Sequence, residues 1–156
     1  MLKEFKYLGL IKDLKSINYD WGQVPSTSGV YIIVYKRLNR PRFLVEGTGG
    51  WFRKKNPNVS IEKLNDKWIN FESNEDRILY IGQSSNLRKR MKLFVRFGKG
   101  SPVGKWGGRY IWQIAGVDKL EVYFKETDAP REKEKQLIRS FKNSHKEKLP
   151  FANLQG

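Results

Sequence analysis

The apolar residues of this chain follow two different rhythms. From Val30 to Tyr35 every residue is β-branched, aromatic or both in character, directly after the turn-rich Pro25-Ser26-Thr27-Ser28-Gly29. A short unbroken apolar run bounded by a turn predicts a strand buried on both faces. Ile78 to Ile81 predicts a second strand. Leu120 to Phe124 predicts a third, because Leu120, Val122 and Phe124 alternate with Glu121 and Tyr123. Elsewhere the period is helical. Phe5, Leu8, Ile11, Leu14 and Ile17 predict an N-terminal helix over 2–17, against the weakening presence of Gly9. Asn86 is suited to cap a helix carrying Leu87, Met91, Phe94 and Val95, and Asp128 with Pro130 opens another carrying Leu137, Ile138 and Phe141. Residues 109–116 fit helix or strand equally.

Between the first two strands lies a long insert, 36–77, with a Gly-Thr-Gly-Gly turn at 47–50. A helix from Ser60 to Ile69 is predicted within it, with Ile61, Leu64 and Trp68 on one face. Neither repeats nor low-complexity tracts divide the chain, and 156 residues suit one α+β domain over 1–156 with an ordinary core.

Two charges fall on the wrong faces of their helices. Glu134 precedes Leu137, Ile138 and Phe141 by three, four and seven residues, so it shares their apolar stripe, whereas Glu132 points elsewhere. Arg90 lies three after Leu87 and four before Phe94, on the stripe of its own helix, while Arg88, Lys89 and Lys92 face water. Burying either charge alone costs several kcal/mol. Either the two pair with each other, or both line a cleft in which the glutamate holds a cation and the arginine a phosphate.

Charge sharpens the second alternative. Lys and Arg number 31 against 16 Asp and Glu, a formal net charge of +15 that calls for an anionic partner. No acid occurs between Asp76 and Asp118, a window that contains Arg88, Lys89, Arg90, Lys92, Arg96, Lys99, Lys105 and Arg109. A solubilising surface would mix signs, so this block points to phosphate. The insert adds Arg53-Lys54-Lys55, placed to touch nucleic acid beside a cut or else to form part of a plain buttress. Aromatics at 13% exclude a disordered basic tail.

Other chemistries drop out. There is no cysteine for a thiol nucleophile, a disulfide or a Cys-type zinc site, and His145, alone in a basic tail, reads as a surface residue. The glycines near Lys105 fail the Walker pattern, since position 99 is Lys and position 106 is Trp. Without a spanning apolar run or a signal-like N-terminus, the chain reads as cytoplasmic, with no membrane partner and no organic cofactor.

Gly29-Val30-Tyr31 on the first strand and Tyr80-Ile81-Gly82 on the second resemble the paired tripeptides of the GIY-YIG nuclease superfamily. Asn86-Leu87-Arg88-Lys89-Arg90 resembles the helix that follows, Glu134-Lys135-Gln136-Leu137-Ile138 the metal-binding glutamate with its Leu-Ile stripe, and Pro150-Phe151-Ala152-Asn153 the terminal asparagine motif. The resemblance runs from Gly29 to Asn153 apart from the insert. It implies a small, mainly antiparallel three-stranded sheet flanked by helices and a divalent-metal-dependent endonuclease acting on DNA ahead of RNA. In that reading Glu134 holds Mg²⁺ or Mn²⁺, Arg90 clamps a phosphate oxygen, Tyr31 deprotonates the attacking water with Tyr80 orienting it or sharing the role, and Asn153 completes the site. Three positions depart from the pattern: Val30 stands for isoleucine, Gln83 follows the second tripeptide where lysine is frequent, and Phe94 replaces a tyrosine. The alternative is a nucleic-acid-binding module on the same scaffold with little or no cleavage; monomer and homodimer both remain open.

Overall fold

A computed structural model describes residues 2–155. Four strands, β1 (Lys6–Leu10), β2 (Gly29–Val34), β3 (Ile78–Ser84) and β4 (Glu121–Glu126), form one antiparallel sheet in the order β1-β4-β2-β3. Four α-helices accompany it: α1 (Ile11–Leu14), α2 (Ile61–Lys67), α3 (Leu87–Gly98) and α4 (Pro130–Ser144). The class is α+β, as expected, with one strand more than the three foreseen.

The extra strand replaces most of the expected N-terminal helix. Gly9 takes φ +133°, which no α-helix accommodates, and β1 pairs with the free edge of β4 through a bulge between Tyr7 and Gly9. Only Ile11–Leu14 is α-helical, with the Asp13 carboxylate accepting from the Leu10 amide at 2.9 Å, while Leu2–Glu4 forms a single 3-10 turn. Leu8, Ile11 and Leu14 are buried nonetheless, because a strand turning into one helical turn sends the same residues inward. Ile17 lies beyond that turn and is 95% exposed. The helical spacing was real as a burial pattern but belonged to a corner.

All six residues of β2 are buried, since β4 and β3 flank it and both faces are covered. Tyr31 and Ile33 join the core that contains Leu87, Met91 and Phe94 of α3. Val30, Ile32 and Val34 face Leu137, Ile138 and Phe141 of α4. The helices thus cover opposite faces of the same sheet. Asn86 caps α3 as expected, its Oδ1 accepting from the Lys89 amide at 3.1 Å. Asp128 does not cap α4; Pro130 starts that helix behind an uncapped Ala129. His145 is no free surface residue, for its ring stacks on Phe141 at 3.9 Å and its Nε2 lies 3.2 Å from Glu75 Oε1.

The insert shares the main core rather than forming a unit of its own. Trp68 packs against Tyr35 and Phe151, each at a ring-centroid distance of 5.3 Å, and Phe43 stacks on Phe151 at 5.5 Å. Ser60 caps α2 through the Lys63 amide at 3.1 Å. Residues 109–113 form a 3-10 helix whose buried Gln113 accepts from the Val59 amide at 2.9 Å and donates to the Leu44 and Val59 carbonyls at 3.0 and 2.9 Å. One side chain therefore satisfies three insert backbone groups that would otherwise be orphaned. Among the described residues, no helix is long and apolar enough to cross a membrane.

Candidate active site

Strand register brings the two tripeptides together. Tyr31 is paired with Gly82 and Ile33 with Tyr80, so the two tyrosines sit diagonally across β2 and β3 with ring centroids 5.8 Å apart. A Cβ on Gly82 would stand 2.5 Å from Tyr31 Cζ and 2.7 Å from its hydroxyl. A Cβ on Gly29 would stand 2.5 Å from Leu87 Cδ1. Both glycines are demanded by a neighbour's close approach.

Tyr31 is wholly enclosed, and its hydroxyl has no hydrogen-bond partner. Burial pushes that hydroxyl well above the usual 10.0, Tyr80 adds to the rise, and Arg90 opposes it. Tyr80, by contrast, lines a cleft of about 480 Å³ together with Gly107, Gly108, Arg109, Glu134 and Asn153. Burial raises the Tyr80 hydroxyl as well, and the Arg90 charge is the chief influence pulling it back. Tyr31, expected to face the attacking water, is thus the sealed member of the pair. Phe94 stacks parallel to Tyr80 at 6.3 Å and helps to fix its ring.

Arg90 is 9% exposed; its Nη2 donates to the Gly107 carbonyl at 3.3 Å, and its Nη1 is buried without a partner. A Cβ on Gly107 would lie 2.8 Å from the Tyr80 hydroxyl and 3.0 Å from Arg90 Nη2. Gly108 takes the left-handed φ of +79°, and a Cβ there would press on Phe94 and Tyr80 at 3.0 and 3.2 Å. This glycine pair lets the 106–109 loop close over the arginine and the tyrosine. Sequence reading passed over it; the signal available was a Gly-Gly step followed by Arg109 inside the acid-free block.

Glu134 opens onto the Tyr80 cleft from α4 while Glu132 is exposed, as the helical arithmetic anticipates. Glu134 has neither a hydrogen bond nor an ion pair among the described residues, and Arg90 is not paired with it. Desolvation raises its carboxyl above the usual 4.5, opposed by Lys135. Among the described residues no group of three or more acidic, His or Cys side chains could hold a metal ion. A cation in this cleft would therefore rest on one carboxylate, with water and phosphate oxygens as its remaining ligands, an arrangement that suits Mg²⁺. An unpartnered, partly desolvated carboxylate facing a cleft fits that demand.

Asn153 does not reach toward the cleft with a free amide. Its Oδ1 accepts from the Ile81 amide and its Nδ2 donates to the Ile81 carbonyl, each at 2.9 Å. Ala152 donates to the Leu79 carbonyl at 2.8 Å. The tail therefore closes the outer edge of β3 and holds Tyr80 from behind. Lys67 at the end of α2 donates to the Asn153 carbonyl at 2.9 Å, tying the insert to this clasp.

The expected phosphate-binding residues separate into distinct sites. Lys105 lines a second cleft, of about 640 Å³, with Gln83, Arg90 and the start of α4, including Glu132 at its rim. Arg109 lies against Trp106 and Tyr110 at 5.4 and 5.7 Å, with its Nε buried and unpartnered. Lys92, Arg96 and Lys99 border a separate groove beside Trp21 on the outer side of α3, and Lys89 is exposed near them in sequence. Arg88 is committed to structure, its Nε donating to the Val24 carbonyl at 2.7 Å. Arg53, Lys54 and Lys55 belong to a two-residue hairpin of the insert.

Comparison of the chain with family models, with curated proteins and with solved structures found no match.

Proposed function

We propose that this protein is a divalent-metal-dependent endonuclease that hydrolyses phosphodiester bonds in DNA. The observation that carries the reading is that Glu134, which opens onto the Tyr80 cleft, and Arg90, which lines the Lys105 cleft and meets Tyr80 at Gly107, do not pair with each other. A buried ion pair would have explained both charges structurally; two uncompensated charges are better explained by a cation and a phosphate. The net charge of +15 and the order of motifs resembling GIY-YIG nucleases support the same reading.

In this mechanism the Arg90 guanidinium, in the wall of the Lys105 cleft, holds a nonbridging phosphate oxygen, and Lys105 and Arg109 neutralise neighbouring phosphates. Tyr80 in its phenolate form orients the attacking water and takes its proton; the new bond joins water oxygen to phosphorus, the bond to the 3′ oxygen breaks, and the departing alkoxide takes a proton from solvent. Tyr31 sits behind as the hydroxyl that completes the pair. Glu134 would hold the cation, which would supply positive charge toward the departing oxygen and add to Arg90 in drawing the tyrosine pKa down. Asn153 and Lys67 act as positioning residues.

The second reading is a DNA-binding module that scarcely cleaves, favoured by the raised tyrosine pKa values and by Gln83. Nicking of supercoiled plasmid with Mg²⁺ or Mn²⁺, against EDTA and against Glu134→Gln, decides between them. Metal-dependent nicking by the wild type that the variant loses supports the nuclease. DNA binding without nicking in either metal supports the module.

A further inference from the structure

The insert carries a surface that the cleavage reading does not use. Trp51 is 53% exposed and makes no ring contact among the described residues. It is followed at once by a tight hairpin: Phe52 and Lys55 exchange both backbone hydrogen bonds, at 3.2 and 2.9 Å, around Arg53 and Lys54. Those two residues take φ of +49° and +65°, the left-handed conformation that Asn-Gly adopts with least strain. Two basic residues are held there instead, and such strain points to a use for the side chains. No acid occurs from Gly47 to Ile61.

The hairpin is also anchored. The Gly50 amide donates to the Phe97 carbonyl at 2.9 Å, and a Cβ on Gly49 would meet the Phe97 ring at 2.6 Å. The Phe52 ring lies against Gly104, where a Cβ would stand 3.1 Å away. Gly104 precedes Lys105, which lines the Arg90 cleft. The hairpin that carries the exposed indole and three cations, with Arg53 Cζ 5.1 Å over the Phe52 ring, is thus anchored against the segment that supplies Lys105 to that cleft. An aromatic face beside cations is the combination that binds unpaired nucleotides, with the base stacking on the ring and the backbone held by charge. Continuous duplex offers no free base face, so it makes no use of the indole.

Resting on the nuclease reading for the strand's destination, we propose that Trp51 with Arg53, Lys54 and Lys55 is a docking platform for single-stranded DNA that continues past Lys105 into the cleft. The preferred substrate is then duplex DNA bearing an unpaired strand. The base next to the hairpin stacks on Trp51, and the phosphates on either side meet the basic tip.

The test uses the full chain in EDTA, with fluorescence anisotropy on a flap-bearing duplex and on a continuous duplex of equal length. Trp51→Ala is expected to weaken flap binding about ten- to a hundredfold while leaving duplex binding unchanged. Trp51→Phe retains most of the preference. Arg53→Gly with Lys54→Gly, which relieves the left-handed strain, lowers the salt dependence on single-stranded DNA by about 0.7 for each contact removed. A 2-aminopurine in the unpaired strand should be quenched by the wild type and not by Trp51→Ala. Equal losses on both DNAs, or no loss on either, with melting temperature unchanged, overturn the platform, as does a wild type that binds no DNA. Should Trp51→Ala fail to fold, a Trp51→Leu protein that melts normally and keeps wild-type flap preference overturns it too. Cleavage is measured separately with Mg²⁺: a wild type that cuts neither DNA but keeps the Trp51-dependent preference removes the nuclease reading and leaves the platform standing.

Discussion

The ring of Tyr31 occupies the space that a side chain on Gly82 would need, with Cζ only 2.5 Å from where that Cβ would sit. The last residue of one tripeptide motif is thus fitted to the last residue of the other across a strand pair. Gly82→Ala should displace Tyr31 from a fully packed position and destabilise the protein by about 1–3 kcal/mol. Thermal melting checks this; an unchanged melting temperature would show that the ring has room to move.

Glu134→Gln should leave stability equal or higher at neutral pH, since no partner is lost and an ionised, partly desolvated carboxylate is removed. The sign follows from its raised pKa. The folded state binds the proton more tightly than the unfolded chain, so stability relative to the ionised form is full below the ordinary 4.5 and is lost as pH rises through the folded value. The gain from the substitution should therefore vanish in acid. Mg²⁺ should raise the melting temperature of the wild type and not of the variant. A fall of about 3–5 kcal/mol in the variant would instead indicate a broken buried ion pair.

If Tyr80 receives the water proton, cleavage should rise with pH across the neutral range. Burial keeps the hydroxyl protonated there, so the phenolate fraction grows about tenfold per pH unit below its pKa. Tyr80→Phe should abolish both cleavage and the pH dependence while DNA binding persists. A pH-independent rate in the wild type would remove the tyrosine from proton transfer.

Asn153→Ala should loosen the tail from β3, leaving the Ile81 amide and carbonyl without partners. Two buried backbone groups so exposed cost about 2–4 kcal/mol together, read as a lower denaturation midpoint. Lys67→Met should reduce protection of the tail in hydrogen exchange without changing the cleft's charge. Full retention of stability in Asn153→Ala would show that the clasp is dispensable.

Arg88 and Arg96 separate the two uses of the basic helix. Arg96→Ala should lower the slope of log affinity against log salt by about 0.9 on duplex, with melting unchanged. Arg88→Ala should lower the melting temperature instead, because its guanidinium secures the Val24 carbonyl. Identical salt slopes in the wild type and Arg96→Ala would take the outer face of α3 out of the DNA contact.

Local pattern was enough wherever one physical demand acted alone. β2 was legible because an unbroken apolar run has only a doubly covered strand to go to, and the cap at Asn86 was legible because a helix start needs an acceptor. The inward turn of Arg90 and the opening of Glu134 onto the cleft followed from the 3.6-residue period. Beyond that, distant chain segments decided. β1 is a strand because β4 presented an unpaired edge and Gly9 could take a conformation closed to a helix, neither of which a hydrophobic period records. Tyr31 is sealed and Tyr80 lines the cleft because β2 is an inner strand and β3 the edge strand, under a loop, 106–109, that packs closely through two glycines. Asn153 became a strand clasp because β3 ended the sheet with its backbone groups unpaired, a need that exists only after the sheet has formed.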